Sequence, residues 1–399
     1  MSITSTPTGA AGEAATRPVF RKGLGRLSAL VLLNSLFELL SLGLFRFWSR
    51  TRLRRFYWNH AMIDGAPLEY DGRGEELLAG FLRALALLLA PGAAIFLGAI
   101  ALMGWRALLG AADLAFMLVL LPLIPMALYK ARGYRLSRTF WRGIGFQQDG
   151  SAWRYALLWM YWLAICLLTL GLAVPWRNVA AHRYRIQHTL YGDLRFGFSG
   201  RGAGLIAAWI VPWLCGLGAA GLSAAAVMKG EGAAVFAVPA VEWAIGLALA
   251  FLVLFIRYRT AEFRYFARHT QLGPLRFRSR LRSPAVAALV LPHLAISGVL
   301  IAINVGLMVR LAQIILVNQA APVAADLALF LALLLLSILI LTMLVSLSYN
   351  LLVRYGLLRA VCGSLEVENL QALIDAAPAH SPRPRHGEGT AEAFDLGAL

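Results

Sequence analysis

The chain has 399 residues, 60% of them hydrophobic and only 14% charged, far from the roughly half apolar and quarter charged make-up of a water-soluble domain. Lys and Arg outnumber Asp and Glu enough to leave a formal net charge of +17. Together these exclude an ordinary soluble domain and point to the bilayer as solvent. Cys166, Cys215 and Cys362 are scattered, two of them inside apolar runs, and read as small hydrophobes rather than a disulfide framework or a metal site.

In chain order, residues 1–19 read as a polar, disordered tail without the basic-then-apolar order of a cleaved signal, so the first apolar segment would stay as an anchor. That segment is 27–45, with Asn34 and Glu38 one helical turn apart inside it. Runs 84–103, 205–228, 233–256, 285–309 and 327–349 each meet the requirement of about 20 apolar residues for a crossing. Residues 114–129 read as a further span, kinked by Pro122 and Pro125. Residues 156–174 carry Trp159, Tyr161 and Trp162 and are flanked by Trp153 and Trp176, residues that settle at headgroup level. Residues 368–399 read as a mostly disordered tail, which leaves 20–367 as one membrane domain.

The basic residues are unevenly placed: seven in 46–83, six in 130–154, five in 177–201 and eight in 257–282, against about one each near Arg106, Lys229 and Arg310. Such asymmetry is the positive-inside pattern of cytoplasmic connections, puts the C-terminus in the cytoplasm, and displaces nucleic acid as the reason for the charge.

A short pattern accompanies the apolar runs five times: an aromatic residue, Thr or Ala five on, Gly at eight or nine, and an apolar residue near twelve. The clearest copies are RYRIQHTLYGDLRF at 183–196 and RYFARHTQLGPLRF at 264–277. Looser ones run through Tyr134, Thr139, Gly143 and Phe146; through Phe56, Ala61, Gly65 and Tyr70; and through Tyr355, Ala360, Gly363 and Val367. An internal repeat implies one supersecondary unit used several times. Here the unit reads as a helix leaving the membrane, a turn at Gly, and a short strand such as that in which Leu194, Phe196 and Phe198 alternate with their neighbours. Five such strands on one face would pair into a small sheet or cap.

If all five copies share a face, the single segment 156–174 between the second and third must enter and leave by that face. Its TLGLAVPW supplies Gly171 and Pro175 as breaks, and SLGLFRFW in 27–45 is built alike. The expected fold is therefore an all-α polytopic membrane protein. It would be a helical bundle of about six full spans plus two re-entrant or shallow segments, with eight spans as the alternative, and with repeated helix-turn-strand elements on the cytoplasmic side.

The block NSLFELLSLGLFRFWSRTRLRRFYWNHAMIDGAPLEY and its echo LLTLGLAVPWRNVAAHRYRIQHTLYGDLRFGFSG resemble the YjgN-like family of bacterial inner-membrane proteins. Leu-Gly-Leu before an aromatic-Trp-basic step, then Arg-Tyr and Thr-x-x-Gly, carry the resemblance, which covers roughly 20–367. The first copy departs with Arg-Phe and Ala61, the fifth with Ala360. The resemblance implies a polytopic plasma-membrane protein of unestablished biochemical role, and it brings no catalytic residues.

Arg183 with Tyr184, Arg264 with Tyr265, and with them Arg55 and Arg135, are the candidates for gripping lipid phosphates or other anions at the interface. The plainer alternative is that they anchor helix ends. Thr139 and Gly143, Thr189 and Gly192, and Thr270 and Gly273 would cap and turn the chain. Asn34, Glu38, His293 and Asn304 are the candidates for an intramembrane polar pocket, since a charge at mid-bilayer costs at least about 2.5 kcal/mol. His60, His182, His188 and His269, with Asp64 and Asp193, match no metal-ligand spacing. No catalytic group, metal or cofactor is expected. Two functions follow: a transporter or channel-like protein for a small solute, or a lipid-interacting, envelope-organising scaffold whose partners are anionic membrane lipids.

Overall fold

The computed structural model describes residues 15–83, 85, 86, 121–228, 239–314 and 324–373. The spans expected at 84–103 and in the first part of 114–129 lie almost wholly outside them.

Ten short strands, β1 (Val19–Phe20), β2 (Ala61–Ile63), β3 (Ala66–Tyr70), β4 (Thr139–Trp141), β5 (Ile144–Gln148), β6 (Thr189–Tyr191), β7 (Leu194–Phe198), β8 (Thr270–Leu272), β9 (Leu275–Ser279) and β10 (Leu365–Glu368), pair antiparallel in chain order. Local turn chemistry makes the hairpins. In Asp64–Gly65 and Arg142–Gly143 both central residues have positive φ, the pattern of a type I′ turn. In Gly192–Asp193 and Gly273–Pro274 only the first does, because Pro274 is locked near −65°, and the pattern is that of type II′.

Each five-residue strand serves two partners. In β5, Ile144 and Gly145 pair with β4, and Phe146, Gln147 and Gln148 pair with β6. The same division recurs in β3 and β7, while in β9 Leu275 and Arg276 pair with β8 and Arg276 to Ser279 with β10. Just beyond each long strand a backbone N–H reaches the carbonyl before the next short strand: Arg21 to His60, Asp71 to Arg138, Asp149 to His188, Ser199 to His269 and Arg280 to Ser364, at 2.8–3.1 Å. The sheet then closes on itself. Thr16 exchanges two hydrogen bonds of 2.9 Å with Val367 on the free edge of β10, while Val19 and Phe20, a few residues on, pair with β2. The long strand of the last hairpin is thus supplied by the start of the chain, and it begins inside the stretch the sequence assigns to the tail.

Period two turns alternate residues of this ring inward. Ile63, Trp141, Tyr191, Leu272 and Val367, one from each short strand, pack with Leu68, Phe146, Phe196 and Phe277 from the long ones, so the ring is filled by apolar side chains. The intervening Glu69, Arg195, Arg276 and Arg278 are exposed.

These strands correct the expected all-α bundle. Among the described residues four helices are long and apolar enough to cross a membrane, Gly202–Ala226, Glu242–His269, Ser283–Ala312 and Asp326–Ser364, rather than six or eight. Their outward leucines, isoleucines and valines are exposed, Leu249, Val299, Ile303 and Leu335 among them. The two shorter segments are helical hairpins. Helices Leu24–Leu40 and Arg46–His60 join β1 to β2, and helices Ala152–Leu168 and Val174–Gln187 join β5 to β6. Seventeen residues reach only about 25 Å. Each first helix stops at one Schellman-type cap: Gly43 N–H reaches Glu38 O, Gly171 N–H reaches Cys166 O, and Leu42 and Leu170 both sit at φ 50°. Both hairpins leave the sheet and return to it.

The pairing also shifts two copies of the sequence pattern. Leu365, not Ala360, occupies the Thr position of the fifth copy, because it pairs with Ser279 as Thr270 pairs with Phe198. In the second copy Gly133, six residues before Thr139, stands where Arg183 and Arg264 stand in theirs, so Arg135 is not their equivalent.

Thr16→Pro, which removes the closing N–H, lowers stability by about 1–3 kcal/mol, whereas Thr16→Val leaves it nearly unchanged; thermal unfolding in detergent measures both. Gly143 has open space where a Cβ would lie, and its φ of 76° alone opposes a side chain. Gly143→Ala therefore costs about 1–2 kcal/mol, and Gly143→Asn less, in the same assay.

Candidate anion-binding cleft

The pattern residues have repeated local duties. Thr139, Thr189 and Thr270 donate their hydroxyls to the carbonyls of Arg135, Arg185 and Phe266, four residues back, at 2.7–2.8 Å. His60, His188 and His269 stack on Phe56, Tyr184 and Tyr265 with ring centroids 3.9–4.2 Å apart. Each places Nδ1 2.7–2.8 Å from the carbonyl of that same aromatic residue. These histidines lock helix ends. Among the described residues no group of His, Cys, Asp and Glu could hold a metal ion.

Tyr184 and Tyr265 grip the preceding connection. The Tyr265 hydroxyl accepts from Arg201 N–H at 2.8 Å and donates to Arg201 O at 2.9 Å; Tyr184 does the same with Ser151 at 3.1 and 2.9 Å. Gly204 has to be glycine for this, since a Cβ there would stand 2.7 Å from the Tyr265 ring and hydroxyl.

The arginines diverge. Arg55 donates to Gly72 O at 2.9 Å and Arg183 to Gly200 O at 2.6 Å, each just past the end of its own long strand. Arg264 stands at the same place in the fourth copy and makes no such bond. It lies with Ala261, Tyr265 and Arg268 on one face of the last turns of helix Pro239–His269, opposite Arg278, Ser279, Arg280 and Glu366. These residues line an open cleft of about 800 Å³ against the outside of the ring. Arg278 pairs with Glu368 at 3.3 Å, and Arg280 shares Glu366 with Arg17 at 3.2 and 2.7 Å. Glu366 is held below the usual carboxylate range first by the hydrogen bond from Arg17 and further by Arg280. Among the described residues Arg264 and Arg268 have no ion pair or hydrogen bond, and both are exposed. Two paired guanidiniums, Arg278 and Arg280, beside the two exposed ones of Arg264 and Arg268 make a cradle for an oxyanion.

The other expected positions do not converge. Asn34 is buried and accepts from Arg52 at 3.5 Å across its own hairpin, while Glu38 lies half-buried one turn further on. His293 Nδ1 lies 2.8 Å from Ser348 Oγ, and Asn304 donates to Ser337 O at 3.4 Å, so both tie Ser283–Ala312 to Ala324–Ser348. Sequence reasoning missed Arg268, Arg278, Arg280 and Glu366. The four-residue step from Arg264 to Arg268 was available as a signal; the approach of β9 and β10 was not.

A family model described as a bacterial protein of unknown function, DUF898, matches residues 17–392. The chain belongs to this family. Membership carries the bacterial, functionally unassigned part of the resemblance and not the YjgN label. The match begins at Arg17, so the family's span takes in most of the closing strand as well as the hairpins. No curated protein and no solved structure matches the chain. With four apolar helices long enough to cross a bilayer, this family member is compatible with a membrane protein of unestablished role.

His182 packs between neighbouring copies, stacked on Phe266 at 4.0 Å with the Phe198 ring edge-on at 4.9 Å. Burial pushes its pKa down to about 3, with Arg185 and Arg132 adding to the effect. A base whose folded pKa is lowered leaves stability intact above the unfolded pKa, about 6.5, and removes it as pH falls from there toward the folded value. Unfolding temperature accordingly drops between pH 6.5 and 4, and His182→Phe, which cannot take up the proton, flattens that slope; a pH series on both proteins checks it.

Proposed function

We propose that the chain is a multi-pass protein of the bacterial inner membrane, its sheet on the cytoplasmic side, that grips the phosphate of anionic phospholipids in the Arg264–Arg268 cleft. In this reading it is a lipid-interacting scaffold and not an enzyme. The observation that carries it is the released arginine: the residue that pins a carbonyl in the first and third copies projects into a basic cleft in the fourth. The cleft lies at the ring end of helix Pro239–His269, the depth at which headgroups meet the ends of spans. Basic residues crowd the ring side of the chain, which supports a cytoplasmic sheet by the positive-inside rule. The plasma-membrane placement also accords with the resemblance to YjgN-like proteins.

Transport of a small solute has less support. Asn34 faces Arg52 of its own hairpin, and His293 and Asn304 spend their bonds on the neighbouring helix, so the expected polar groups do not share one pocket. The apolar filling of the ring weighs against a conduit along its axis.

Native mass spectrometry of protein extracted in mild detergent tests the scaffold reading. Arg264→Gln with Arg268→Gln reduces retention of phosphatidylglycerol about tenfold, the scale of one charge-assisted hydrogen bond, and leaves phosphatidylethanolamine and the unfolding temperature unchanged. Undiminished phosphatidylglycerol retention, or equal loss of both lipids, overturns the reading.

A further inference from the structure

The cleft that holds Arg264 and Arg268 also holds a competitor for any anion that enters it. Glu366 is the one carboxylate among the described residues that line it. Val367 points into the ring, so period two turns Glu366 to the outer face, where the cleft lies. Its side chain is only 9% exposed, so water screens it little. A free carboxylate at this place competes with a lipid phosphate for the same guanidiniums, since each presents oxygens that match an arginine's paired N–H groups.

Both oxygens of Glu366 are engaged instead. Arg17 brings Nη2 to 2.7 Å and Nε to 3.2 Å from Oε1, and Arg280 Nε stands 3.2 Å from Oε2. Arg278 faces Glu366 across the β9–β10 ladder, yet it turns to Glu368 at 3.3 Å. Of the two guanidiniums on Glu366, Arg280 lines the cleft and Arg17 does not.

Ring closure puts Arg17 there. Thr16 bridges Val367 antiparallel, which sets the next residue, Arg17, opposite the preceding one, Glu366, on the same outer face. Val19 and Phe20 hold the other end of this segment on β2. The ion pair and the closing bridge therefore form together. A chain whose ring is open keeps Glu366 beside the cleft arginines and has no Arg17 across from it.

We propose that Arg17 is a positioning residue for the cleft: it holds one oxygen of Glu366, keeps that carboxylate off the neighbouring arginines, and so confines phosphate binding to the closed ring. This rests on the lipid reading of the cleft.

Native mass spectrometry of the full chain in mild detergent tests it, with retained phosphatidylglycerol counted against phosphatidylethanolamine. Arg17→Gln lowers phosphatidylglycerol retention about fivefold, the scale of one weakly screened charge, and leaves phosphatidylethanolamine unchanged. Arg17→Lys, which keeps a cation opposite Glu366, retains most of the phosphatidylglycerol. Glu366→Gln raises retention above that of the intact protein without raising the unfolding temperature, so the gain does not come from stability. Added to Glu366→Gln, Arg17→Gln has no further effect, whereas an arginine that touched the lipid itself would cost the same with or without the carboxylate. Thr16→Pro, which opens the ring without altering a charge, lowers retention as Arg17→Gln does, and Glu366→Gln cancels that loss too. Should Arg17→Gln fail to fold, Thr16→Pro with and without Glu366→Gln replaces it. Unchanged retention in Arg17→Gln, an equal loss with and without Glu366→Gln, or a fall in Glu366→Gln alone overturns the proposal. The variant with Arg264→Gln and Arg268→Gln separates the two readings: where it loses phosphatidylglycerol and Arg17→Gln does not, only the role of Arg17 falls, and where it keeps the lipid, both fall.

Discussion

Division of each long strand between two partners is the constraint on which this molecule rests. In β3, β5 and β7 two residues pair back to the strand's own hairpin and three pair forward to the next, so no hairpin satisfies its backbone alone. Two-stranded pieces of this length are marginal in water. Stability has to come from completing the circle, which removes every open edge and buries one apolar layer contributed by all five hairpins. The turns make this feasible because I′ and II′ geometry matches the twist of the flanking strands. The helical excursions are hung on that ring, and each returns to the strand next to the one it left.

Copies of one unit diverge where the framework no longer needs them alike. Tyr184 and Tyr265 clasp a backbone in the same manner, and three Thr residues bond the same carbonyl four back. The arginine beside the aromatic residue is spent on a carbonyl in two copies, absent in one and left projecting in another. In the last copy the positions read Arg359 and Ala360, so the aromatic clasp has gone. Chemistry is therefore found at the copies that keep the residue type and have lost its framework partner.

Much of this was legible in the residues. Gly65, Gly143, Gly192 and Gly273 announced the turns, and the apolar runs announced the four long helices. Ser-Leu-Gly-Leu and Thr-Leu-Gly-Leu announced two helix ends of one geometry. The short strands were hidden, because three residues such as Thr189–Tyr191 give no alternation to count. Closure was hidden as well: Thr16 and Val367 meet from opposite ends of the chain, and only the completed ring explains why they do. Half of the cleft was visible, Arg264 and Tyr265, because it follows the repeat. The other half comes from β9 and β10, whose exposed side chains carry no periodic signal that points at a helix.

Borrowing the final long strand from the opening residues has a consequence for biosynthesis. Thr16 to Phe20 emerge from the ribosome before every other strand and wait for Leu365 to Glu368, the last of the strands to emerge. Throughout elongation the growing arc keeps two raw backbone edges, the kind of surface that invites mispairing. All five hairpins must be present before the two edges can meet. Completion of the last hairpin thus doubles as a length check: a prematurely released fragment retains a sticky end and the finished product has none.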